Sequence, residues 1–402
     1  METDQIKKFL EAVHEAAQYV KDLSLKNATI VHHNDADGVT SGAILKMALE
    51  REGLRTEPIP VERVHPSFLP KIHGPDRSLI LYADLGGQSA DMIRENIVKG
   101  TSVIILDHHP PFRSLPDPLQ INPEMFGIDG DIRSAAATVA YLFGRALNGK
   151  NDDLAYLGVM GALGDGQILK GRVTGLNQMA LETAIANGSI HMNEECATDP
   201  YRFHLFKNEG GMEVARSISD LSVNGYYRRG AELAIDVCLK GPTNESVEFV
   251  REMRRIQEDL FQKEKRRLQT DGIRVEGDIQ WVDVEDRFHP LGLKSIGTFC
   301  SEISEMNWVH GDKYIVGFQN IPEENPYFGR IHQQEAKVSM RVTPGLRRAM
   351  EKGLKPHLTD ILPGAAQEVG GFAEGCHRYA AACIIHQEKK KDLIRSLSRR
   401  VR

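Results

Sequence analysis

Three short apolar runs within the first 110 residues each end abruptly in charge. Thr29-Ile30-Val31 leads into His32-His33-Asn34-Asp35-Ala36-Asp37-Gly38, Leu79-Ile80-Leu81-Tyr82-Ala83 leads into Asp84, and Val103-Ile104-Ile105-Leu106 leads into Asp107-His108-His109. Continuous apolar runs of this length, rich in β-branched residues, read as strands buried on both faces. A buried strand that stops at a carboxylate or imidazole hands that side chain to the edge of its sheet, so three such strands predict one shared metal site.

The segments between these runs set the fold class. Ile6, Phe9, Leu10, Val13, Ala17 and Val20 recur at helical spacing over residues 5–22. A helix is expected from about Thr40 to Arg51, a short strand near Glu57–Val61, and a helix from Ser89 to about Val98. Strands alternating with helices imply a mainly parallel sheet with helices on both faces, and in such sheets ligands bind beyond the carboxyl ends of the strands. Pro110-Pro111 stops the third strand, and a loop through Pro116, Pro118 and Pro123 reaches Asp129-Gly130-Asp131. A helix over Ser134–Leu147 follows, then one over Leu154–Leu163 with Asp152-Asp153 at its N-cap and Gly164-Asp165-Gly166 at its end. Residues 170–245 are helical in flavour and carry no readable site.

From Ser246 to Gln269 a charged pattern free of Gly and Pro predicts one long helix joining two domains. Beyond it, strands at Gln280–Val284, Lys313–Phe318 and Lys337–Val342, with helices near Leu293–Met306 and Pro344–Lys352, predict a smaller mixed α/β domain. The expected division is a catalytic domain over 1–245, a connector helix over 246–270 and a substrate-binding domain over 271–402. A basic helix, with Lys389-Lys390-Lys391, Arg395, Arg399, Arg400 and Arg402, closes the chain.

Composition bounds what such a chain does. Its 402 residues are 41% hydrophobic, 26% charged and 6% aromatic, the texture of a folded globular protein with two cores. The five cysteines are scattered and never spaced as Cys-x-x-Cys, which leaves out a disulfide framework and a zinc cluster. A net charge of −6 argues against polyanion binding through global charge, so a nucleic-acid surface has to be a local patch. No apolar run approaches the ~20 residues of a membrane span, and the first residues lack the order of a signal peptide. A cytoplasmic protein with no membrane partner is expected.

Asp35, Asp37, Asp84, His108 and Asp165 together combine hard oxygen ligands with an imidazole. That mixture suits two divalent cations and tilts the choice toward Mn²⁺ over Mg²⁺. Two ions ~3.5–4 Å apart need a bridging carboxylate, and Asp84, isolated between two clustered motifs, is the expected bridge. Such a pair implies phosphoester hydrolysis. Asp-x-Asp-Gly alone also occurs in turns and calcium loops, and the Gly161–Gly166 stretch mimics a nucleotide fingerprint while closing a helix instead of opening one. The joint order of the motifs is what singles them out.

That order, His33-Asn34-Asp35-Ala36-Asp37-Gly38, then Tyr82-Ala83-Asp84, then Asp107-His108-His109, then Gly164-Asp165, resembles the four motifs of the DHH phosphoesterase superfamily. Val338-Ser339-Met340-Arg341 and Gly370–Ala382 resemble the DHH-associated C-terminal domain, so the likeness covers the chain except about 170–245. Among subfamilies it is most similar to RecJ-like single-strand exonucleases of archaeal type. The resemblance implies that Asp35, Asp37, Asp84, His108 and Asp165 ligate two Mn²⁺ ions, with His33 a further ligand or support. It implies that Asp107 orients an imidazole and that His109 faces the scissile phosphate as a catalytic group. Arg341, Gly375 and His377 would bind substrate phosphates or its terminal group. Glu374-Gly375-Cys376 before His377, and Cys383 after the alanines, depart from the family's open glycine pattern and put substrate grip in question, since a carboxylate there repels phosphate.

The expected activity is Mn²⁺-dependent release of nucleotides from an end of single-stranded DNA or RNA. Arg228-Arg229, Arg254-Arg255, Arg266-Arg267, Arg341 and Arg347-Arg348 are the cations available to a substrate groove, with Tyr226 and Tyr227 as base-stacking residues. The alternatives are a phosphoesterase for short oligonucleotides, bisphosphorylated nucleosides or cyclic dinucleotides, and a binding subunit working with replication or repair proteins.

Overall fold

The computed structural model describes residues 2–111, 119–331, 334–374 and 376–401. The chain divides into two compact units, Met1–Ser222 with Arg229–Val250, and Val223–Arg228 with Arg251–Arg402.

Unit 1 opens with α1 (Glu2–Asp22), β1 (Asn27–His33), α2 (Ala36–Arg51), β2 (Arg55–Val61), α3 (Leu69–Ile72), β3 (Leu79–Ala83), α4 (Ala90–Glu95), β4 (Ser102–Leu106) and β5 (Leu119–Ile121). The five strands form one all-parallel sheet in the order β2-β1-β3-β4-β5. β2 lies on one side of β1 and β3 to β5 on the other, so the winding reverses between β1 and β3. That topological switch point opens a crevice at the carboxyl ends of these strands. Next come α5 (Ala136–Leu147), α6 (Ala155–Gly164) and α7 (Leu176–Ala186), a small antiparallel sheet of β6 (Ile190–Met192), β7 (Tyr201–Phe203) and β8 (Glu209–Gly210), then α8 (Gly211–Ser219) and α9 (Gly230–Lys240). Every residue of α6 from Ala155 to Leu163 is buried, because α2, α5, α7 and α8 all pack against it. A helix without a polar face has to lie inside the molecule.

α10 (Asn244–Asp271) is the long helix expected from the charged run, and from Arg251 onward it belongs to unit 2. There follow β9 (Arg274–Glu276), β10 (Ile279–Asp283), α11 (Ser295–Ile303), β11 (Tyr314–Asn320), the hairpin β12 (Glu324–Asn325) and β13 (Gly329–Arg330), β14 (Glu335–Arg341), α12 (Pro344–Glu351), α13 (Leu358–Glu368), β15 (Phe372–Glu374), β16 (Ala380–His386) and α14 (Lys390–Arg400). Its main sheet, in the order β15-β16-β14-β11-β10-β9, is antiparallel except where β10 meets β11.

The fold class is as expected, α/β with a parallel sheet and a second, mixed sheet. Several local details differ. α2 starts at Ala36, four residues earlier than expected, because Asp35 caps it. Asp152 and Asp153 do not cap α6; they lie in the turn before it and pair with Arg145 at 3.0 Å and Arg51 at 2.7 Å. Residues 170–245 include three short strands. α13 has no counterpart in the expected elements, since Pro363 and Gly364 interrupt its pattern. Pro116 and Pro118 lie outside the described residues.

The basic closing helix is less free than its sequence implies. Leu393, Ile394 and Leu397 are buried, Lys390 pairs with Asp283 at 2.9 Å, and Arg400 pairs with Glu368 at 3.2 Å.

Phe261 of α10 meets Phe288 and Phe299 at 5.0 and 5.2 Å between ring centroids, all three buried. Truncating Phe261 to alanine is expected to cost unit 2 about 3–5 kcal/mol, read as a lower denaturation midpoint. A change under about 1 kcal/mol would mean that α10 is not pinned there.

Candidate metal centre

Each expected ligand arrives by a distinct local device. β1 ends at His33 and the chain turns into α2, with Asp35 as N-cap, its Oδ1 accepting from the Gly38 N–H at 3.0 Å. Asp37 lies in the first turn of α2 and is fully buried. Its Oδ2 accepts from the Ala136 N–H and its Oδ1 from the Ala137 N–H, both at 2.8 Å, so the carboxylate also satisfies the first turn of α5, where the helix dipole favours negative charge. Gly161 of α6 makes room for it, since a Cβ there would lie 2.3 Å from Asp37 Oδ1. Gly161 and Gly164 thus serve close packing against α2 instead of a nucleotide, and Gly166 takes a positive φ of 67° in open space.

Asp84 follows β3 in a left-handed conformation, φ 62°, rare for a residue with a side chain. Its N–H donates to Leu106 O at 3.0 Å. Its two oxygens face two different neighbours. Oδ2 lies 3.1 Å from His33 Nδ1, which is itself 3.2 Å from Asp35 Oδ2. Oδ1 lies 3.3 Å from His108 Nε2, which is also 3.2 Å from Asp165 Oδ2 and 3.9 Å from Asp37 Oδ2. Asp165 caps the end of α6 and is the exposed member of this group.

The structure therefore brings all six expected ligands together. Their ligating atoms fall into overlapping groups, one of His33, Asp35 and Asp84, another of Asp37, Asp84, His108 and Asp165, and a third of Asp84, Asp107, His108 and His109. Asp84 belongs to every one. Asp84 Oδ1 and His108 Nε2 are buried and, despite their closeness, have no partner with hydrogen-bond geometry. Buried lone pairs without hydrogen bonds are costly, and a divalent cation fits this donor set.

Electrostatics say the same. Burial, then the charges of Asp84 and Asp165, hold the Asp37 carboxyl well above the usual carboxylate range, and burial with Asp35 raises Asp84. Burial favours the neutral form of His108, but Asp165 and Asp84 together outweigh it and push the ring well above the usual histidine value. Without a cation these groups hold protons that the unfolded chain would release.

Asp107 has a separate task. Oδ1 accepts from the His108 and His109 N–H groups at 2.8 and 3.2 Å and from His109 Nδ1 at 2.8 Å, and Oδ2 accepts from the Gly87 N–H at 2.8 Å. Burial alone would raise its pKa, but the two imidazoles and these donors outweigh burial and hold it below the usual range. The imidazole that Asp107 orients is His109. His108 is oriented instead by Gly130 O, 2.7 Å from Nδ1. Gly130 can approach because it lacks a side chain; a Cβ would lie 2.0 Å from His108 O.

In unit 2, Arg341 pairs across the sheet with Ala380, and the His377 N–H donates to Ala380 O at 2.8 Å, so both belong to one end of that sheet. The Arg341 guanidinium donates to Ser301 Oγ at 3.0 Å and Met340 O at 2.8 Å, and its burial lowers its pKa. Gly375 lies outside the described residues. The scattered cations expected to line a groove are largely engaged nearby: Arg228 with Glu252, Arg229 with Glu232, Arg267 with Glu264, and Arg347 with Glu351 while covering the Tyr379 ring. Tyr226 is fully buried between Tyr227 and Tyr327, which removes it as a base-stacking residue. Sequence reading missed Gly87, Gly130, Gln167 and Asn177 around the histidines, and Asn122, whose Nδ2 donates to His109 O at 2.8 Å, because main-chain partners and buried amides leave no pattern in sequence.

A parallel sheet whose switch point gathers carboxylates and imidazoles is the arrangement that the DHH motifs of the sequence imply. Residues 27–161 match the model of the DHH family, N-terminal domain, and the chain carries that domain. It is 28% identical over 211 residues to the uncharacterized protein MJ0831 of Methanocaldococcus jannaschii, covering 49% of this chain and 46% of that one. Its fold is similar to that of RecJ from Thermus thermophilus in complex with Mn²⁺, with a TM-score of 0.67 at 19% identity over 96% of this chain and 54% of that one. It is also similar to CDC45 from Entamoeba histolytica, with a TM-score of 0.57 at 12% identity over 98% of each chain. This chain thus spans about half the length of MJ0831 and of the Thermus RecJ. At these identities the solved structures establish a RecJ-like fold. Among the described residues no helix is long and apolar enough to cross a membrane.

The raised groups set the pH response. The stability that Asp37 and Asp84 contribute is complete below the ordinary carboxylate value near ~4 and is lost as pH rises through their raised values; His108 behaves alike above about 6.5. A bound cation removes that loss. Mn²⁺ is therefore expected to raise the melting temperature more at about pH 8 than at about pH 5, and Asp84→Ala to abolish the difference. A shift independent of pH would refute the centre.

Proposed function

We propose that this protein is a Mn²⁺-dependent phosphodiesterase that removes nucleotides from an end of single-stranded nucleic acid. The observation that carries this reading is Asp84, whose two oxygens face two separate sets of donors, His33 with Asp35, and His108 with Asp37 and Asp165. Two cations sharing one carboxylate need such an arrangement. The imidazole in each set favours Mn²⁺, with Mg²⁺ as the alternative. When bound, a cation pair supplies Lewis acidity for activating water and for neutralising the charge that grows on phosphoryl oxygens.

The chain's own residues do the rest. The buried, ionised Asp107 accepts a hydrogen bond from His109 Nδ1, which fixes that ring and leaves Nε2 for the substrate. Burial and the His108 charge oppose protonation of His109, but Asp107 and Asp84 outweigh them, so the ring is a proton donor to the leaving oxygen. Arg341 and His377 serve the substrate phosphates or its end from the second sheet. The RecJ-like fold supports nucleic acid as the substrate class.

A small-substrate phosphoesterase is the second reading, supported by the internally paired arginines and the net charge of −6. A binding role beside replication or repair proteins is the third reading. Holding Asp35, Asp37, Asp84 and Asp165 around two imidazoles serves no such role and costs electrostatic repulsion.

The test supplies Mn²⁺ with end-labelled single strands of graded length, a bisphosphorylated nucleoside and a cyclic dinucleotide, with Asp84→Ala as control. Ladders from long strands are expected; turnover of the smallest substrates alone would favour the second reading, and none at all would leave a binding role. His108→Ala should lose both metal and turnover. His109→Ala should keep the metals and lose about 10²–10⁴ in rate, and equal metal loss in the two variants would overturn this division of roles.

A further inference from the structure

A buried chain of hydrogen bonds runs from the start of α5 to His108, and its polarity is fixed throughout. The Ala135 N–H can only donate, so the atom of Asn177 that it meets at 2.9 Å is Oδ1, which also accepts from Thr138 Oγ1 at 2.7 Å. Asn177 Nδ2 therefore faces Gln167 and donates to its Oε1 at 2.8 Å. Gln167 Nε2 in turn donates to Gly130 O at 2.8 Å. The same carbonyl lies 2.7 Å from His108 Nδ1, and since a carbonyl only accepts, Nδ1 carries a proton. The 3.3 Å approach of Gln167 Nε2 to His108 Nδ1 then sets two donors side by side, both serving one oxygen. Asn177 and Thr138 are fully buried, and Gln167 and His108 nearly so.

We propose that Gln167 and Asn177 are positioning residues that clamp the Gly130 carbonyl, so that His108 keeps its proton on Nδ1 and turns Nε2 to the carboxylates. A histidine that ligates a metal through one nitrogen depends on a fixed acceptor for the other. Here the acceptor is a main-chain carbonyl in the Asp129–Asp131 turn, whose peptide is held through the Asp131 N–H on Asp129 Oδ1 at 2.9 Å, and a single hydrogen bond from the ring leaves one lone pair of that oxygen unfilled. The second donor, Gln167, occupies the oxygen's other lone pair, and Asn177 fixes which end of Gln167 faces it. The chain begins at Ala135, one residue before the N–H groups that hold Asp37. One helix start thus orients two of the proposed ligands, Asp37 directly and His108 through two amides.

This inference rests on the cation-site reading, but its first readout needs neither metal nor substrate. In metal-free protein the His108 Nδ1 proton should give a slowly exchanging downfield NMR signal, assigned by its loss in His108→Gln. Gln167→Met, which keeps the volume and removes the donor, should lose that signal to exchange. Asn177→Asp, which keeps the acceptor for Ala135 and Thr138 and removes only the donor to Gln167, should do likewise and serves if Gln167→Met fails to fold. Calorimetric titration with Mn²⁺ should show affinity falling roughly 10–100-fold in either variant. Retention of the signal in a folded variant, or its loss with unchanged Mn²⁺ affinity, would overturn the proposal. Failure of the parent protein to bind Mn²⁺ would sink the metal reading and leave the clamp to be judged on the exchange signal alone.

Discussion

Like charges gathered in a poorly solvated crevice are the constraint to which the first unit answers. Asp37 and Asp84 are buried, Asp35 and Asp165 lie within reach of the same atoms, and burial and mutual repulsion oppose ionisation of the buried pair. Such a cluster persists only if the surroundings hold each carboxylate in place and positive charge is available. Main-chain N–H groups do the holding: Ala136 and Ala137 for Asp37, Gly38 for Asp35, and Gly87 for the neighbouring Asp107. These donors are rigid parts of helix starts and turns, so they neutralise partial charge without filling the space that a cation would take.

This division explains why Asp107 and Asp84 behave oppositely although both follow strands of one sheet. Asp107 Oδ1 and Oδ2 are both spoken for, and its carboxylate is held ionised as the anchor of His109. Asp84 Oδ1 has no hydrogen bond and meets His108 Nε2, which has none either. One carboxylate is finished by protein donors, and the other needs something the chain does not supply. The left-handed backbone at Asp84 fits that reading, since strain of this kind persists where the surrounding structure overrides it and clusters at functional sites.

The parts legible in sequence are those written as local pattern. Apolar runs ending at Asp84 and Asp107 specify buried parallel strands and the sheet edge they feed, and the helical periodicity of α1 and the charged run of α10 specify helices. Local chemistry misleads where a residue's partner lies far away in sequence. Asp152 and Asp153 have the form of an N-cap but pair with Arg145 and Arg51. Tyr226 and the arginine pairs look available until their packing and ion-pair partners are in view. Residues 170–245 look empty because Asn177, which belongs to the histidine's support, is one polar residue on an ordinary helix.

The sequence by itself determined which side chains reach the crevice, because the alternation of strand and helix sends every strand's carboxyl end to one edge and the motifs sit at those ends. Only the tertiary structure decided how each one is held there. The different settings of His108 and His109, adjacent in the chain and 4.3 Å apart between rings, come from their Nδ1 partners, Gly130 O for one and Asp107 for the other. The physical reason is that a hydrogen bond is a relation between positions, and Gly130, Gln167 and Asn177 come from turns and a helix well beyond His108 in the chain, brought beside it only by the packing of α5 against the sheet and of α6 and α7 against α5.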